Sequence, residues 1–195
     1  MTGKRITIID GHPDPAPGRF VHALAERCAE GAAIAGHELR RIIVADLTFP
    51  LIATRQDWEN GEPVADIRTA QEAISWAEHI IILYPLWLGD MPALLKAFFE
   101  QVMRPGYAFL PHDGGFPRKK LKGRSAHVVV TMGMPAFFYR LFYGAHSVKS
   151  LERNILKFVG IAPVRHTLIG NAEGDALQRE AWLEEMVGLG EAGTY

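Results

Sequence analysis

The chain has 195 residues, 48% of them apolar and 22% charged, with a formal net charge of −1. That length fits one domain over residues 1–195, and the near-neutral balance carries no electrostatic footprint for nucleic acid or an anionic membrane. Cys28 is the single cysteine, which excludes a disulfide framework and a Cys-rich metal site; no metal is expected.

Residues 5–10, RITIID, read as a first strand. Residues 11–18, GHPDPAPG, form a loop with three prolines. Residues 19–35 read as a helix with Phe20, Ala23, Leu24 and Cys28 on its apolar face and Gly36 at its end. Cys28 there reads as a buried, inert thiol. A second strand is expected at 38–46, an irregular polar stretch at 47–63 and a second helix at 65–77. Ile80-Ile81-Ile82-Leu83 follows, a continuous run rich in β-branched residues. It reads as a strand buried on both faces, at the centre of a parallel sheet. Pro85 removes a backbone donor and ends that strand. Asp90 is the expected N-cap and Pro92 the first-turn residue of a helix over 93–101, with Leu94, Leu95, Phe98, Phe99 and Val102 on one face. Residues 104–124 form a Gly- and Pro-rich connection whose basic run, Arg118, Lys119, Lys120, Lys122 and Arg124, reads as solvated. A fourth strand at 125–131 leads into a long aromatic loop at 132–146. A helix at 147–159 closed by Gly160, a strand at 164–169 and a helix at 175–189 complete the chain.

Five strands alternating with helices predict a doubly wound parallel sheet with helices on both faces. The first βα turn lacks G-x-G-x-x-G, which disfavours a dinucleotide lying on it. The five-stranded flavodoxin-like order 2-1-3-4-5 is therefore expected, with its switch point between the first and third strands. That order brings the loop at 11–18 beside the loop at 85–89. No run is long enough to span a bilayer and no secretory apolar segment opens the chain, so a cytoplasmic protein is expected.

The first loop ends on a helix N-terminus, which attracts anions through unpaired N–H groups. Its prolines cannot donate, so the donors begin at Gly18, Arg19, Phe20 and Val21, with His12 and Arg19 adding side chains. Pro85, Leu86, Trp87 and Leu88 suit the face of a flat aromatic molecule better than a sugar or a bare phosphate. Thr131, Gly133 and Met134 offer a hydroxyl, close backbone approach and N–H groups for such a molecule's polar edge. The side chains of Met132 and Met134 read as core. Phe137, Phe138, Tyr139, Leu141, Phe142 and Tyr143 are too many large apolar residues for one loop to bury, which calls for a partner subunit or an apolar ligand.

YPLWLGDMPALLKAFFEQVMRPGYAF resembles the flavodoxin-like NAD(P)H:quinone oxidoreductases, in which P-L-x-W/F-x-x-x-P-A-x-L-K-x-F-x-x-x-V precedes a G-x-A-F/Y segment. GHPDP resembles that family's phosphate loop, and TMG followed by Tyr139 and His146 resembles its T-x-G…Y…H loop. The matches run in family order from Lys4 to about Ile169. The resemblance implies a homodimer with flavin at the subunit interface, FMN ahead of FAD. It implies two-electron reduction of quinones or similar acceptors by NADPH or NADH, in ping-pong order. Carried over, His12, Arg19 and Phe20 bind phosphate, beside the Gly18 N–H read from the loop itself. Pro85, Leu86, Trp87 and Leu88 line the isoalloxazine, and Thr131 and Gly133 its polar edge, with the Met134 backbone beside them in the same loop. Tyr139 and His146 are the catalytic pair, Tyr139 as hydrogen-bond donor and His146 as proton carrier. The chain departs from the pattern at Gly18-Arg19, where Ser, Thr or Asn is common, and at Met134, where a second Gly is common. His146 also falls one residue beyond the family spacing. A flavodoxin-type electron carrier and a regulatory flavoprotein subunit of an ion-efflux system are the alternatives; carriers of that kind are strongly acidic and this chain is not.

Overall fold

The computed structural model describes residues 3–110, 115 and 117–194. Five strands form one parallel sheet: β1 (Arg5–Asp10), β2 (Glu38–Ile43), β3 (His79–Pro85), β6 (Ser125–Thr131) and β7 (Val164–Ile169). Their order is β2-β1-β3-β6-β7. Without the small hairpin of β4 (Phe109–Leu110) and β5 (Arg118–Lys119), this is the expected 2-1-3-4-5 topology. All residues of β3 are buried, as its unbroken apolar run requires of a strand covered on both faces.

One layer packs Ile80, Ile82 and Tyr84 against α3 (Ala65–Trp76) and α4 (Ala93–Val102). The other packs Ile81, Leu83 and Val129 against α1 (Phe20–Ile34) and α8 (Ala176–Ala192). The last two helices touch backbone to backbone. A Cβ on Gly190 would stand 2.1 Å from the Cys28 carbonyl oxygen, and one on Gly31 would stand 2.0 Å from that of Val187. Only glycine permits that approach. Cys28 is buried beneath the contact, and burial pushes its thiol up to about 12, so the expected inert thiol is what the fold contains.

Several local expectations are corrected. β2 ends at Ile43 and turns into a 3-10 helix over Val44–Asp46. The stretch expected to be irregular holds α2 (Arg55–Asn60), capped by Thr54, whose hydroxyl accepts the Asp57 N–H at 3.1 Å. Pro92, not Asp90, is the N-cap of α4. Asp90 instead closes a tight turn with Trp87, through backbone hydrogen bonds of 2.8 and 3.0 Å. That turn places Leu88 and Gly89 at positive φ. The expected aromatic loop contains α5 (Ala136–Leu141), started by Pro135. The next helix begins at His146 as α6 (His146–Ser150), passes through a π turn (Leu151–Leu156) and ends as α7 (Lys157–Val159). Part of the connection expected at 104–124, namely 111–114 and 116, lies outside the described residues. Its basic run is only partly free in solvent. Lys119 and Lys120 donate to the carbonyls of Lys157 and Gly106, and Arg124 to those of Ile74 and Ser75.

Candidate active site

Two strand ends set the site. Asp10 closes β1 opposite Leu83 of β3, and Pro85 closes β3 opposite Thr131 of β6. The Gly11 N–H donates to the Leu83 carbonyl at 2.7 Å, and the Leu86 N–H to that of Thr131 at 2.7 Å. The loops leaving β1, β3 and β6 therefore emerge side by side at the carboxyl edge, where open α/β sheets bind ligands. A cleft of about 450 Å³ lies between them, lined by His12, Asp14, Gly18, Arg19, Phe20, Val21, Pro85, Trp87, Thr131, Ala172, Glu173 and Arg179.

Helix α1 points its N-terminus into this cleft without a side-chain cap. The N–H groups of Phe20 and Val21 meet no acceptor among the described residues. They are the unsatisfied first-turn donors that bind anions. Arg19 forks onto Asp14, with Nε at 2.9 Å from Oδ2 and the terminal nitrogen on the same oxygen. The Ala16 N–H on Asp14 Oδ1 and this fork hold the Asp14 carboxyl below its usual range. Across the cleft the Arg179 guanidinium stacks on the Phe20 ring, 4.5 Å from its centroid.

His12 is nearly buried, and its Nδ1 accepts the Asp14 N–H at 3.1 Å. The Asp14 carbonyl oxygen stands 3.1 Å from the same nitrogen, so Asp14 holds Nδ1 in either tautomer, and Nε2 has no partner among the described residues. Burial, helped by His22 and Arg19, holds His12 below its ordinary value against the pull of Asp14 and Asp10. It is neutral at pH 7 and leaves Nε2 free. Its ring stands edge-on to Trp87, with centroids 5.9 Å apart. Trp87 is half exposed and, with Pro85, forms the apolar wall. The Thr131 side chain lies at the cleft floor with no hydrogen-bond partner among the described residues.

The structure thus gathers His12, Gly18, Arg19, Phe20, Pro85, Trp87 and Thr131 of the expected residues into one cleft. Leu86 packs on the core beneath it. Leu88 projects fully into solvent from the turn tip. Gly133 is exposed with open space around it, while the Met134 side chain packs on the core. Tyr139 does not reach the cleft: it is fully buried, and its hydroxyl accepts the Val148 N–H at 3.4 Å. The tyrosine beside the turn is Tyr143, whose ring would stand 4.0 Å from a Cβ on Gly89. His146 is exposed on the same rim, its N–H donating to the Tyr143 carbonyl at 3.3 Å. Asp14, Ala172, Glu173 and Arg179 escaped sequence reasoning. Arg179 belongs to the last helix and reaches the first loop only because α8 lies along α1. No group of His, Cys, Asp and Glu that could hold a metal occurs among the described residues. No helix among them is long and apolar enough to cross a membrane.

The five-stranded 2-1-3-4-5 sheet with a ligand cleft at its switch point defines a doubly wound α/β protein of the flavodoxin type. Residues 4–188 match the flavodoxin-like fold family, and the chain belongs to it. An uncharacterized NAD(P)H oxidoreductase of Haemophilus influenzae is 26% identical over 84% of this chain and 82% of its own length. The FMN-dependent NADH:quinone oxidoreductase 1 of Bradyrhizobium diazoefficiens is 32% identical over 53% of this chain and 50% of its own. The solved NAD(P)H:quinone oxidoreductase of Methanothermobacter marburgensis superposes with a TM-score of 0.81 at 24% identity, covering 97% and 96% of the two chains.

Proposed function

We propose that this protein is a flavin-dependent NAD(P)H oxidoreductase that reduces quinones or similar acceptors by two electrons, with FMN as its cofactor. One observation carries the reading: an uncapped helix N-terminus flanked by Arg19, Arg179 and a neutral His12 shares a single cleft with the apolar wall of Pro85 and Trp87. A phosphate-bearing flat heterocycle needs both features at once. The relatives named as oxidoreductases, one of them FMN-dependent, support the same reading.

In this scheme the Phe20 and Val21 N–H groups, the His12 Nε2–H and Arg19 hold the phosphate. Pro85 and Trp87 exclude water from one face of the ring, and Thr131 with the backbone of Gly133 and Met134 meets its polar edge. The flavin, when bound, supplies the hydride chemistry. The protein's part is to place donors where negative charge develops, which lowers the barrier more than it tightens the ground state. Tyr143 and His146 on the rim take the roles expected of Tyr139 and His146. The phenol of Tyr143 donates a hydrogen bond, and the imidazole of His146 moves a proton. Nicotinamide and acceptor use the same open face in turn, in ping-pong order.

The exposed face of α5 and its exit, with Phe137, Phe138, Leu141 and Phe142, is the surface that joins two copies into a homodimer. The test is to release the cofactor from purified protein, identify it by chromatography, and follow NADH and NADPH oxidation with a quinone. Bound FMN and parallel double-reciprocal lines are expected. A protein that takes up no flavin on titration overturns the reading.

A further inference from the structure

A second histidine lies under the cleft and faces only acceptors. His22, in the first turn of α1, sets Nδ1 at 2.6 Å from Asp10 Oδ2 and Nε2 at 2.8 Å from the Asp14 carbonyl oxygen. Neither oxygen can donate: Asp10 is a carboxylate at the end of β1, buried to 2% exposure, and the other is a peptide carbonyl. A neutral imidazole would turn one lone pair toward an oxygen. The arrangement is complete only with a proton on both nitrogens, as an imidazolium. Asp10 is engaged at both oxygens, since Oδ1 accepts the His12 N–H at 3.1 Å. The result is one connected frame. Asp10 links β1 to His22 on α1, His22 holds the Asp14 carbonyl, and Asp14 fixes the ring of His12 at Nδ1, with Nε2 left without a partner among the described residues.

We propose that protonated His22 is a positioning residue for phosphate binding: it holds residues 12–14 in the shape the cleft needs and supplies a fixed positive charge beneath it. The proposal rests on the reading of this cleft as the phosphate site of FMN. The charged groups around His22 come from every neighbouring element. They are Asp10 from β1, His12, Asp14 and Arg19 from the loop, and Glu26 from α1. Arg41 on β2 is ion-paired with Glu26 at 2.5 Å, and Asp46 comes from the 3-10 turn. Glu173 and Arg179 line the cleft above, with His12, Asp14 and Arg19. Burial pulls the His22 ring down, but Asp10 and Asp14 outweigh it and hold the imidazole above its ordinary value. His12, held low, stays neutral from neutral pH upward. The arginines keep their charge and a phosphate monoester is dianionic above neutrality. Over the alkaline range His22 is then the group in this frame whose charge changes.

The experiment measures FMN and riboflavin dissociation constants by flavin fluorescence from pH 6.5 to 9.5, in wild type, His22→Gln and Asp10→Asn. In parallel, nitrogen-15 NMR reads the protonation of the His22 ring. Wild type is expected to hold FMN steadily near neutrality and to lose about tenfold in affinity as pH passes the raised His22 value, as for the loss of one charge-assisted contact. His22→Gln should bind FMN about tenfold more weakly at pH 7 and show no such fall. Asp10→Asn should move the fall to lower pH. Riboflavin, which has the ring but no phosphate, should follow none of these changes. Equal affinity of wild type for FMN and riboflavin overturns the phosphate reading and the proposal with it. A wild-type preference for FMN that His22→Gln leaves intact, pH profile included, overturns the proposal alone. So does a singly protonated His22 ring at pH 7. If His22→Gln fails to fold, Asp10→Asn and the NMR of wild type decide the matter.

Discussion

Lowering pH should destabilise this fold well before its carboxylates protonate, because two histidines sit in the sheet in their neutral form. His79 opens β3 with 1% exposure; its Nδ1 meets Ser125 Oγ at 2.8 Å, and its Nε2 is buried without a partner among the described residues. His127 on β6 meets Thr167 Oγ1 at 2.9 Å, and its Nδ1 likewise has no partner among them. Burial, then the charge of His127, pushes His79 down to about 4; burial, then His166 and Arg165, does the same to His127. The folded state thus binds fewer protons than the unfolded chain between pH 6.5 and 4, so stability rises with pH across that window and is lost as pH falls through it. For His79 the full gap is worth roughly 3 kcal/mol, about 2 kcal/mol of it lost by pH 5. His127 contributes less because its ring is nearer solvent. Against a total of about 5–15 kcal/mol, this is a large fraction. Urea denaturation of cofactor-free protein at pH 7.5, 6.0 and 5.0 should show it. His79→Asn keeps a donor near Ser125 and loses the titration. It should be somewhat less stable than wild type at pH 7.5 yet flatter by about 2 kcal/mol between pH 7.5 and 5. An unchanged slope in His79→Asn, or a His79 ring that titrates near 6.5 by NMR, refutes the argument.

Gly190→Ala forces a Cβ to 2.1 Å from the Cys28 carbonyl oxygen and 2.8 Å from the Ala32 nitrogen. Separating α1 from α8 should cost about 2 kcal/mol and lower Tm by roughly 4–8 °C, read by thermal melts. Phe142→Asp places a charge on the exposed α5 face; losing one ring from a buried interface, roughly 1.5–3 kcal/mol, should shift a dimer toward monomer at micromolar concentration by light scattering. Tyr143→Phe and His146→Ala should each slow flavin reduction about tenfold in stopped flow, less than a full oxyanion-hole donor because water reaches the rim. Tyr139→Phe, by contrast, should leave that rate unchanged.

Elements whose pattern is governed by burial were legible in the sequence. Ile80-Ile81-Ile82-Leu83 could only be a central strand, and the missing glycine fingerprint in the first turn chose the strand order. The loops at 11–18 and 85–89 met where that order placed them. What escaped is governed by short-range geometry or by contacts distant in sequence. Helix α5 is six residues, half of them aromatic, with little helix propensity to announce it. Its spacing nevertheless turns Phe137, Phe138, Leu141 and Phe142 outward and Tyr139 inward. Motif spacing alone selected Tyr139, and one helical turn decided against it. Arg179 and His22 carry no local signature. They become site residues through the packing of α8 on α1 and through an acceptor pair assembled from β1 and its loop.

The histidines also divide by the direction in which their surroundings push them, and the division has a functional consequence. His79 and His127 face apolar layers with one hydroxyl each, so the fold tolerates them only when neutral. His22 faces two acceptors, so its frame is complete only when it is charged. The first pair sets an acid edge, where protonation costs the sheet its stability. His22 sets an alkaline edge, where losing a proton costs the cleft its shape and its charge. The two edges have different readouts. The acid edge should appear in denaturation of cofactor-free protein whether or not FMN is added later. The alkaline edge should appear in FMN affinity while the sheet stays folded. Activity measured across pH should then fall on the acid side with loss of folded protein, and on the alkaline side with release of intact, refillable protein. An alkaline loss that excess FMN fails to rescue would show that the upper edge belongs to some group other than His22.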